Sequence, residues 1–193
     1  MTVQQSDSKL RKLAAGVGFV QSFAWIIMSM MCIVFYYSPD LPTTPSSYMG
    51  TVGALIYGMF LYNDVEQFPN QTFTGTIFNV FVWFYLLLDV FWLFVSIHLF
   101  RTNTPKALRA WGHCTLLISL LDFITFVILG ADYNKCLDFA QNFTLIDETY
   151  VLALQQICAN SILPPFIIAA KGFTLWVFNI ALGIILDRKS RQL

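Results

Sequence analysis

The chain has 193 residues, of which 57% are hydrophobic and only 11% are charged, and its 11 basic and 11 acidic side chains give a formal net charge of zero. A soluble domain carries about a quarter charged residues because water must wet its surface, so the composition excludes an ordinary soluble protein. The neutral balance implies no surface for a polyanion, and nucleic acid is not expected as a partner. We expect one membrane-embedded domain with the lipid bilayer as its solvent.

Four apolar segments are long enough to cross about 30 Å of hydrocarbon, which takes about 20 helical residues. In chain order they cover residues 13–37, 76–100, 111–131 and 164–186. They lack the two-residue alternation of barrel strands, and a helix is the other structure that satisfies its backbone hydrogen bonds in lipid. The sequence therefore predicts an all-α, four-helix transmembrane bundle.

The first span is expected to remain in the protein, because its apolar part of about 25 residues exceeds the 7–15 that a cleaved signal peptide usually has. The segments outside the spans are then residues 1–12, 38–75, 101–110, 132–163 and 187–193. Within the first long loop, residues 48–62 are apolar but too short to span. They are expected to form either a helix packed in that loop or one that lies at the membrane interface.

Basic residues lie mainly on one side of the predicted spans. Nine of the 11 fall in the two terminal segments and the 101–110 loop, whereas Lys135 lies in the 132–163 loop and Lys171 in the fourth span. Because cytoplasmic loops are enriched in Lys and Arg, we expect both termini and the short middle loop to be cytoplasmic. The two longer loops are then outer loops, extracellular or lumenal.

Two glycosylation sequons agree with this orientation. They begin at Asn70 (Asn-Gln-Thr) and Asn142 (Asn-Phe-Thr), and they fall in the two predicted outer loops. One sequon is a weak pattern, but two on the side chosen independently from charge strengthen the orientation.

The cysteines also suit an oxidising outer compartment. Cys136 and Cys158 form the pair in an outer loop, where disulfides are permitted, and closing a loop of about 20 residues contributes roughly 3 kcal/mol. We therefore predict a bridge between them. Cys32 and Cys114 lie in spans and are interpreted as packing residues, although Cys114, close to the cytoplasmic interface, is also a candidate for palmitoylation.

Small and hydrogen-bonding residues recur at helical spacing within three spans, as they do where membrane helices pack together. These residues are Gly18, Ser22, Trp25, Ser29 and Cys32 in the first span, Tyr85, Asp89, Trp92 and Ser96 in the second, and Thr115, Ser119, Asp122 and Thr125 in the third. We predict that these stripes face other helices.

Three ionisable residues lie inside the predicted spans: Asp89, Asp122 and Lys171. A charge near the bilayer centre costs at least about 2.5–3.5 kcal/mol on insertion scales. Both aspartates lie about 16 Å from the cytoplasmic ends of their spans, so they could meet and share one proton. Three interpretations stay open: a structural Asp–Asp or Asp–Lys contact, an outward-snorkelling Lys171 beside neutral aspartates, and a site that handles protons or ions.

No catalytic or ligand-binding motif was found: the sequence has no glycine-rich phosphate loop, no H-E-x-x-H, no G-x-S-x-G and no Cys/His metal spacing. We expect a non-enzymatic protein with no cofactor, no metal site and no catalytic residue.

Three features resemble a group of insect four-pass proteins. They are a long second span that ends in a basic turn (Ile97-His98-Leu99-Phe100-Arg101), the following Ala110-Trp111 and the charged tail Asp187-Arg188-Lys189-Ser190-Arg191. That group contains the pasiflora-type septate-junction components and the lysosome-associated four-pass proteins. The resemblance covers the second half of the chain and implies a junction-like or epithelial setting. The lysosomal branch carries tyrosine sorting motifs, but the cytoplasmic segments here contain no Tyr, which favours the plasma membrane over endolysosomal membranes.

The main functional hypothesis is an organising, junction-type structural role, in which the protein associates with itself or with other membrane proteins. One alternative is a small proton- or cation-coupled transporter or channel subunit that uses Asp89 and Asp122. Another is an endolysosomal trafficking adaptor.

Overall fold

The computed structural model describes residues 3–38, 48–62, 66–102, 104–142, 148–169 and 173–191. The regular structure of these residues is helical, without strands. The helices are α1 (Val3–Tyr37), α2 (Tyr48–Phe60), α3 (Gly75–Arg101), α4 (Pro105–Asn142), α5 (Glu148–Ala169) and α6 (Thr174–Ser190).

Within the described residues, four helical stretches are long and apolar enough to cross a membrane. They are Ser8–Tyr37, Gly75–Arg101, Pro105–Asn142 and Thr149–Ser190, of which the last includes both α5 and α6. The predicted all-α class is confirmed, and so is the presence of four helices long and apolar enough to span a membrane.

Helix α4 extends well beyond the predicted end of the third span at residue 131. It continues to Asn142, and α5 begins at Glu148, so much of the 132–163 segment, which we expected to be a loop, is helical. Apolar character falls at Asp132, but residues 132–142 contain neither Gly nor Pro. Nothing in the local sequence therefore ends the helix where its side chains become polar.

The fourth predicted span, 164–186, does not coincide with a single helix. Pro164 and Pro165 lie inside α5, near its C-terminal end, and α6 begins at Thr174. Proline is tolerated inside membrane helices because neighbouring helices and hydroxyl side chains satisfy the freed backbone groups. The predicted span therefore covers the C-terminal end of α5 and the larger part of α6, and its limits in the bilayer stay a prediction.

The short apolar segment forms a helix, as both of its interpretations required. Helix α2 contacts α5 and buries Tyr57, Met59 and Phe60. Its thirteen residues are too few to span, and its contact with α5 is compatible with either interpretation.

The chain divides into two compact units. The first comprises Met1–Met30, Trp83–Leu121 and Phe173–Leu193. Its core contains Ala14 and Ala15 of α1, Trp92, Val95 and Leu99 of α3, Ala107, Leu108, Trp111, Cys114 and Ile118 of α4, and Leu182 and Leu186 of α6.

The second unit comprises Met31–Val82 and Asp122–Gly172. Its core is more aromatic and includes Tyr57, Phe60, Phe68 and Phe73, with Leu129, Cys136, Cys158 and Ile162. The ring of Phe73 lies edge-on to those of Phe78 and Phe81, with centroids 5.8 and 5.0 Å apart. The segment before α3 is thereby packed onto the helix that follows it.

Helix α3 shows why a bilayer suits this fold. Its buried residues Asp89, Trp92, Ser96 and Leu99 follow one another at spacings of three and four, and so do the exposed Phe84, Leu87, Phe91 and Phe94 on another face. Large apolar side chains in such a stripe are costly in water. In a bilayer the same side chains contact apolar lipid tails.

Candidate functional site

The two intramembrane aspartates are both buried. Asp89, on α3, is 1% exposed and lies in the first unit, whereas Asp122, on α4, is 2% exposed and lies in the second unit. Lys171 lies outside the described residues. The pairing of these three groups remains a prediction.

The polar stripes of the spans face inward, as predicted for helix contacts. Every member of the α4 stripe is buried: Thr115, Ser119, Asp122 and Thr125. Asp89, Trp92 and Ser96 of α3 and Gly18, Ser22 and Ser29 of α1 are buried as well. Trp25, Cys32 and Tyr85 are half-buried.

One close contact in the first unit explains why α1 carries a glycine at position 18. The indole Nε1–H of Trp111 donates a hydrogen bond of 3.0 Å to Ser96 Oγ. A Cβ at Gly18 would lie 2.4 Å from Ser96 Oγ and 2.7 Å from Trp111 Nε1. The glycine therefore lets α1 approach this hydrogen bond, as small residues do at membrane helix contacts.

Helices α1 and α6 are joined by a pair of amides that the sequence analysis missed. Gln21 Nε2 donates to Asn179 Oδ1 at 3.2 Å, and Asn179 Nδ2 donates to Gln21 Oε1 at 2.8 Å. Asn179 is 1% exposed. These amides lie 158 positions apart in the chain, and neither belongs to a recognised motif, so spacing alone could not pair them.

The second unit contains a charged cluster that was also missed. Asp132, on α4, has a fully buried side chain. Its carboxylate accepts hydrogen bonds from the backbone N–H of Thr72, at 2.9 and 3.1 Å to its two oxygens, and from that of Phe73, at 2.8 Å. A buried charge is tolerated only when it is paired and hydrogen-bonded, and these donors meet that need.

Lys135 completes the cluster from one turn further along α4. Its Nζ donates to Asp132 Oδ1 at 3.2 Å, to the backbone oxygen of Asn70 at 2.7 Å and to Thr72 Oγ1 at 2.8 Å. Asp132, Lys135 and the segment 70–73 are called the Asp132 cluster below. Asp132 accepts hydrogen bonds from N–H groups of the segment 70–73, and Lys135 donates hydrogen bonds to oxygens of the same segment.

Gln71 holds that segment from its other side. The side chain is 5% exposed, and its Nε2 donates to the backbone oxygens of Phe73 at 2.7 Å and Met59 at 3.3 Å. Its Oε1 accepts from the backbone N–H of Gln67 at 2.8 Å. The turn before α3 is thus connected to the end of α2 as well as to α4.

The predicted disulfide is present between Cys136 on α4 and Cys158 on α5. Both cysteines lie in helices rather than in the loop where they were expected. Cys136 follows Asp132 by four residues, and residues four apart lie on the same face of a helix. Together, Asp132 and Cys136 join α4 to the turn before α3 and to α5.

The two sequon asparagines lie at different kinds of position. Asn70 is exposed and has a positive φ of 61°, a conformation that Asn adopts more readily than most residues. Asn142 is exposed at the last residue of α4. The remaining two residues of its sequon lie outside the described residues.

The chemistry available to the Asp132 cluster is structural. Its carboxylate, ammonium and hydroxyl groups bond to one another and to backbone, so they fasten helices together. Across the described part of the chain, no three His, Cys, Asp or Glu side chains are grouped to hold a metal ion. The signal that could have indicated the cluster is the D-x-x-K-C pattern at 132–136, which places an acid, a base and a cysteine within about one helical turn.

No family model matches the chain, and no curated protein or solved structure matches it.

Proposed function

We propose that the chain is a non-enzymatic four-pass membrane protein with an organising, junction-type role. Both of its termini are cytoplasmic, its two longer loops are outside, and it acts by lateral association of its spans and by contacts of its outer surface. We place it in the plasma membrane.

The observation that carries this proposal is the cross-connection of the second unit. This unit includes nearly all of both predicted outer loops. Within it, the Asp132 cluster fastens the turn before α3 to α4, and the disulfide fastens α4 to α5. A charged hydrogen bond contributes about 1.5–3 kcal/mol and a disulfide of this loop length about 3 kcal/mol. Such cross-links suit a surface that presents a fixed shape to a partner.

Orientation is supported by three independent features of the sequence. These are the basic residues of the termini and middle loop, the two sequons, and a disulfide that requires an oxidising compartment. The junction-like setting rests on the resemblance to septate-junction four-pass proteins described above.

The proposal is tested by locating the tagged protein in polarised epithelial cells, mixed with cells that lack it. We expect enrichment at contacts where both neighbours express the protein or its partner, and weaker enrichment for Asp132→Asn than for its matched control Asp138→Asn, at an exposed position of the same helix. Steady-state accumulation in lysosomes would contradict the proposal and support the trafficking adaptor.

A second candidate is a proton- or cation-coupled transporter, because Asp89 and Asp122 are buried within predicted spans. Asn keeps a hydrogen-bonding side chain of similar shape but cannot titrate. If the aspartates are structural, Asp89→Asn and Asp122→Asn should reach the surface and retain partner recruitment, whereas Leu should disturb packing. Normal surface level with complete loss of function in either Asn variant would instead favour transport.

A further inference from the structure

The sequon at Asn70 forms part of the Asp132 cluster. The backbone oxygen of Asn70 and the hydroxyl of Thr72 both accept hydrogen bonds from Lys135, and the N–H of Thr72 donates to Asp132. Gln71, between them, is buried. Main-chain groups of both Asn70 and Thr72, and the Thr72 hydroxyl, are therefore hydrogen-bonded to Lys135 and Asp132 in the folded protein.

Glycan transfer makes demands that this folded arrangement does not meet. Asn70 Nδ2 must attack the anomeric carbon of a lipid-pyrophosphate-linked oligosaccharide. The new N–C bond forms as the C–O bond to the pyrophosphate breaks, Nδ2 loses a proton, and the lipid pyrophosphate leaves. The transferring enzyme also reads the hydroxyl two residues further on, which is why Ser or Thr is required there. In the folded protein that hydroxyl accepts a hydrogen bond from Lys135, and the N–H groups of Thr72 and Phe73 donate to Asp132. These bonds must open before the segment can enter another site.

We infer that Asn70 is a glycosylation site that closes on folding: it accepts a glycan before Lys135 and Asp132 bind the segment 70–73, and hardly at all afterwards. The inference rests on the proposed outward orientation of this segment. The contacts of the cluster involve the Asn70 main chain, and its side chain is exposed. A glycan attached earlier therefore projects outward and does not prevent closure.

The order of synthesis allows time for glycan transfer to Asn70 before the Asp132 cluster forms. Lys135 follows Asn70 by 65 residues, which at about 5–20 residues per second is roughly 3–13 s. Cys158 follows Cys136 by a further 22 residues. Glycan transfer at Asn70 thus competes with the arrival and folding of α4 and α5.

The test uses the full chain, translated into microsomes whose oligosaccharide donor is withheld until folding is complete. Donor is then restored, and mass spectrometry follows Asn70 occupancy in the wild type, Asp132→Asn and Asp138→Asn. We expect the wild type and Asp138→Asn to be modified at Asn70 at least about tenfold more slowly than Asp132→Asn, a factor equal to about 1.4 kcal/mol of opening free energy.

Protection from trypsin on the same samples establishes that each chain has folded. Lys135→Gln is the second opening variant, because Lys135 is 36% exposed and its replacement carries less risk to folding. Equal rates at Asn70 in the wild type and in both opening variants, whether fast or zero, would overturn the inference.

The glycan occupancy of Asn142 distinguishes a failure of this inference from a failure of the proposed orientation. Suppose that Asn142 is modified in ordinary synthesis with donor present, while the Asn70 rates of wild type and opening variants are equal. That result would contradict the inferred closure of Asn70 and leave the orientation standing. If neither asparagine is modified in the wild type or in either opening variant, this inference fails. An N-terminal tag that is then also reachable from outside intact cells shows that the orientation, and with it the proposed function, has failed as well.

Discussion

At the scale of single residues, the fold depends on polar groups whose partners come from distant parts of the chain. Asp132 is a fully buried acid that would be strongly unfavourable alone, and it is stabilised by the backbone of Thr72 and Phe73, about sixty residues earlier. Gly18 is needed because a side chain there would have no room. The space beside it is filled by the hydrogen bond between Trp111 of α4 and Ser96 of α3.

Replacing Asp132 with Asn should lower the free energy of unfolding by about 1.5–3 kcal/mol. The amide has one acceptor oxygen instead of two, so its NH₂ group would face a backbone donor, and the attraction to Lys135 would be lost. The measurement is the midpoint of thermal unfolding of the purified protein in detergent. Asp138→Asn, at an exposed site of the same helix, should stay within about 0.5 kcal/mol of the wild type, and an equal loss in both variants would contradict the assignment.

Gly18→Ala should destabilise the protein by about 1–3 kcal/mol, as overpacking of a filled contact does, because the new Cβ would collide with Ser96 and Trp111. Gly58→Ala in α2 is the matched control, since nothing lies within 4 Å of its new Cβ, and it should be neutral or stabilising by up to about 1 kcal/mol. The same unfolding assay compares them. Similar midpoints for the two variants would show that α1 does not pack at Gly18.

At the scale of elements, α4 organises the second unit. Its thirty-eight residues are more than the roughly 20 needed to span, and the part beyond the predicted span carries Asp132, Lys135 and Cys136 on neighbouring turns. This extension turns a membrane helix into a support to which α5 and the segment before α3 are attached.

Removing the disulfide should therefore loosen α5 from α4. Replacing both Cys136 and Cys158 with Ser should cost about 3 kcal/mol on the chain-entropy estimate, while Cys32→Ser, at a cysteine outside the bridge, should have a smaller effect. A non-reduced digest of the wild type should contain the linked peptides in mass spectrometry. Finding both thiols open to alkylation in the native protein would refute the bridge.

At the scale of the whole molecule, the decisive property is orientation in the membrane. An N-terminal tag should be unreachable from outside intact cells, and endoglycosidase should shift the protein on a gel. Asn70→Gly together with Asn142→Gln should abolish the shift. Gly is the better choice at position 70, because it adopts the positive φ of 61° without strain. An N-terminal tag that reacts from outside would overturn the orientation, whatever the glycosylation state.

Much of the architecture could be predicted because the signals behind it are local. Twenty apolar residues in a row mark a helix in lipid, and small or hydroxylated residues at spacings of three and four mark its packed face. A short helix within residues 48–62 and the 136–158 bridge were also predicted, the first from length and composition and the second because these cysteines are the pair in a predicted outer loop.

Helix ends were less predictable, because hydropathy indicates which environment the side chains favour and does not indicate where the backbone stops being helical. Asp132 ends the apolar run of α4, yet the helix continues, and the prolines of α5 lie inside a helix that they were expected to begin. In both places the helix continues past the change in sequence, although Pro164 and Pro165 cannot donate backbone hydrogen bonds.

By itself the sequence determined the class of protein, the number of spans, the inward faces and the cysteine pair, since each depends on composition or on neighbours within a few residues. The tertiary structure decided which distant polar groups meet: Gln21 with Asn179, Trp111 with Ser96, and Asp132 and Lys135 with the sequon turn at 70–73. Each of these contacts joins residues on different elements. Their formation depends on how the helices pack, and no local pattern in the chain records that geometry.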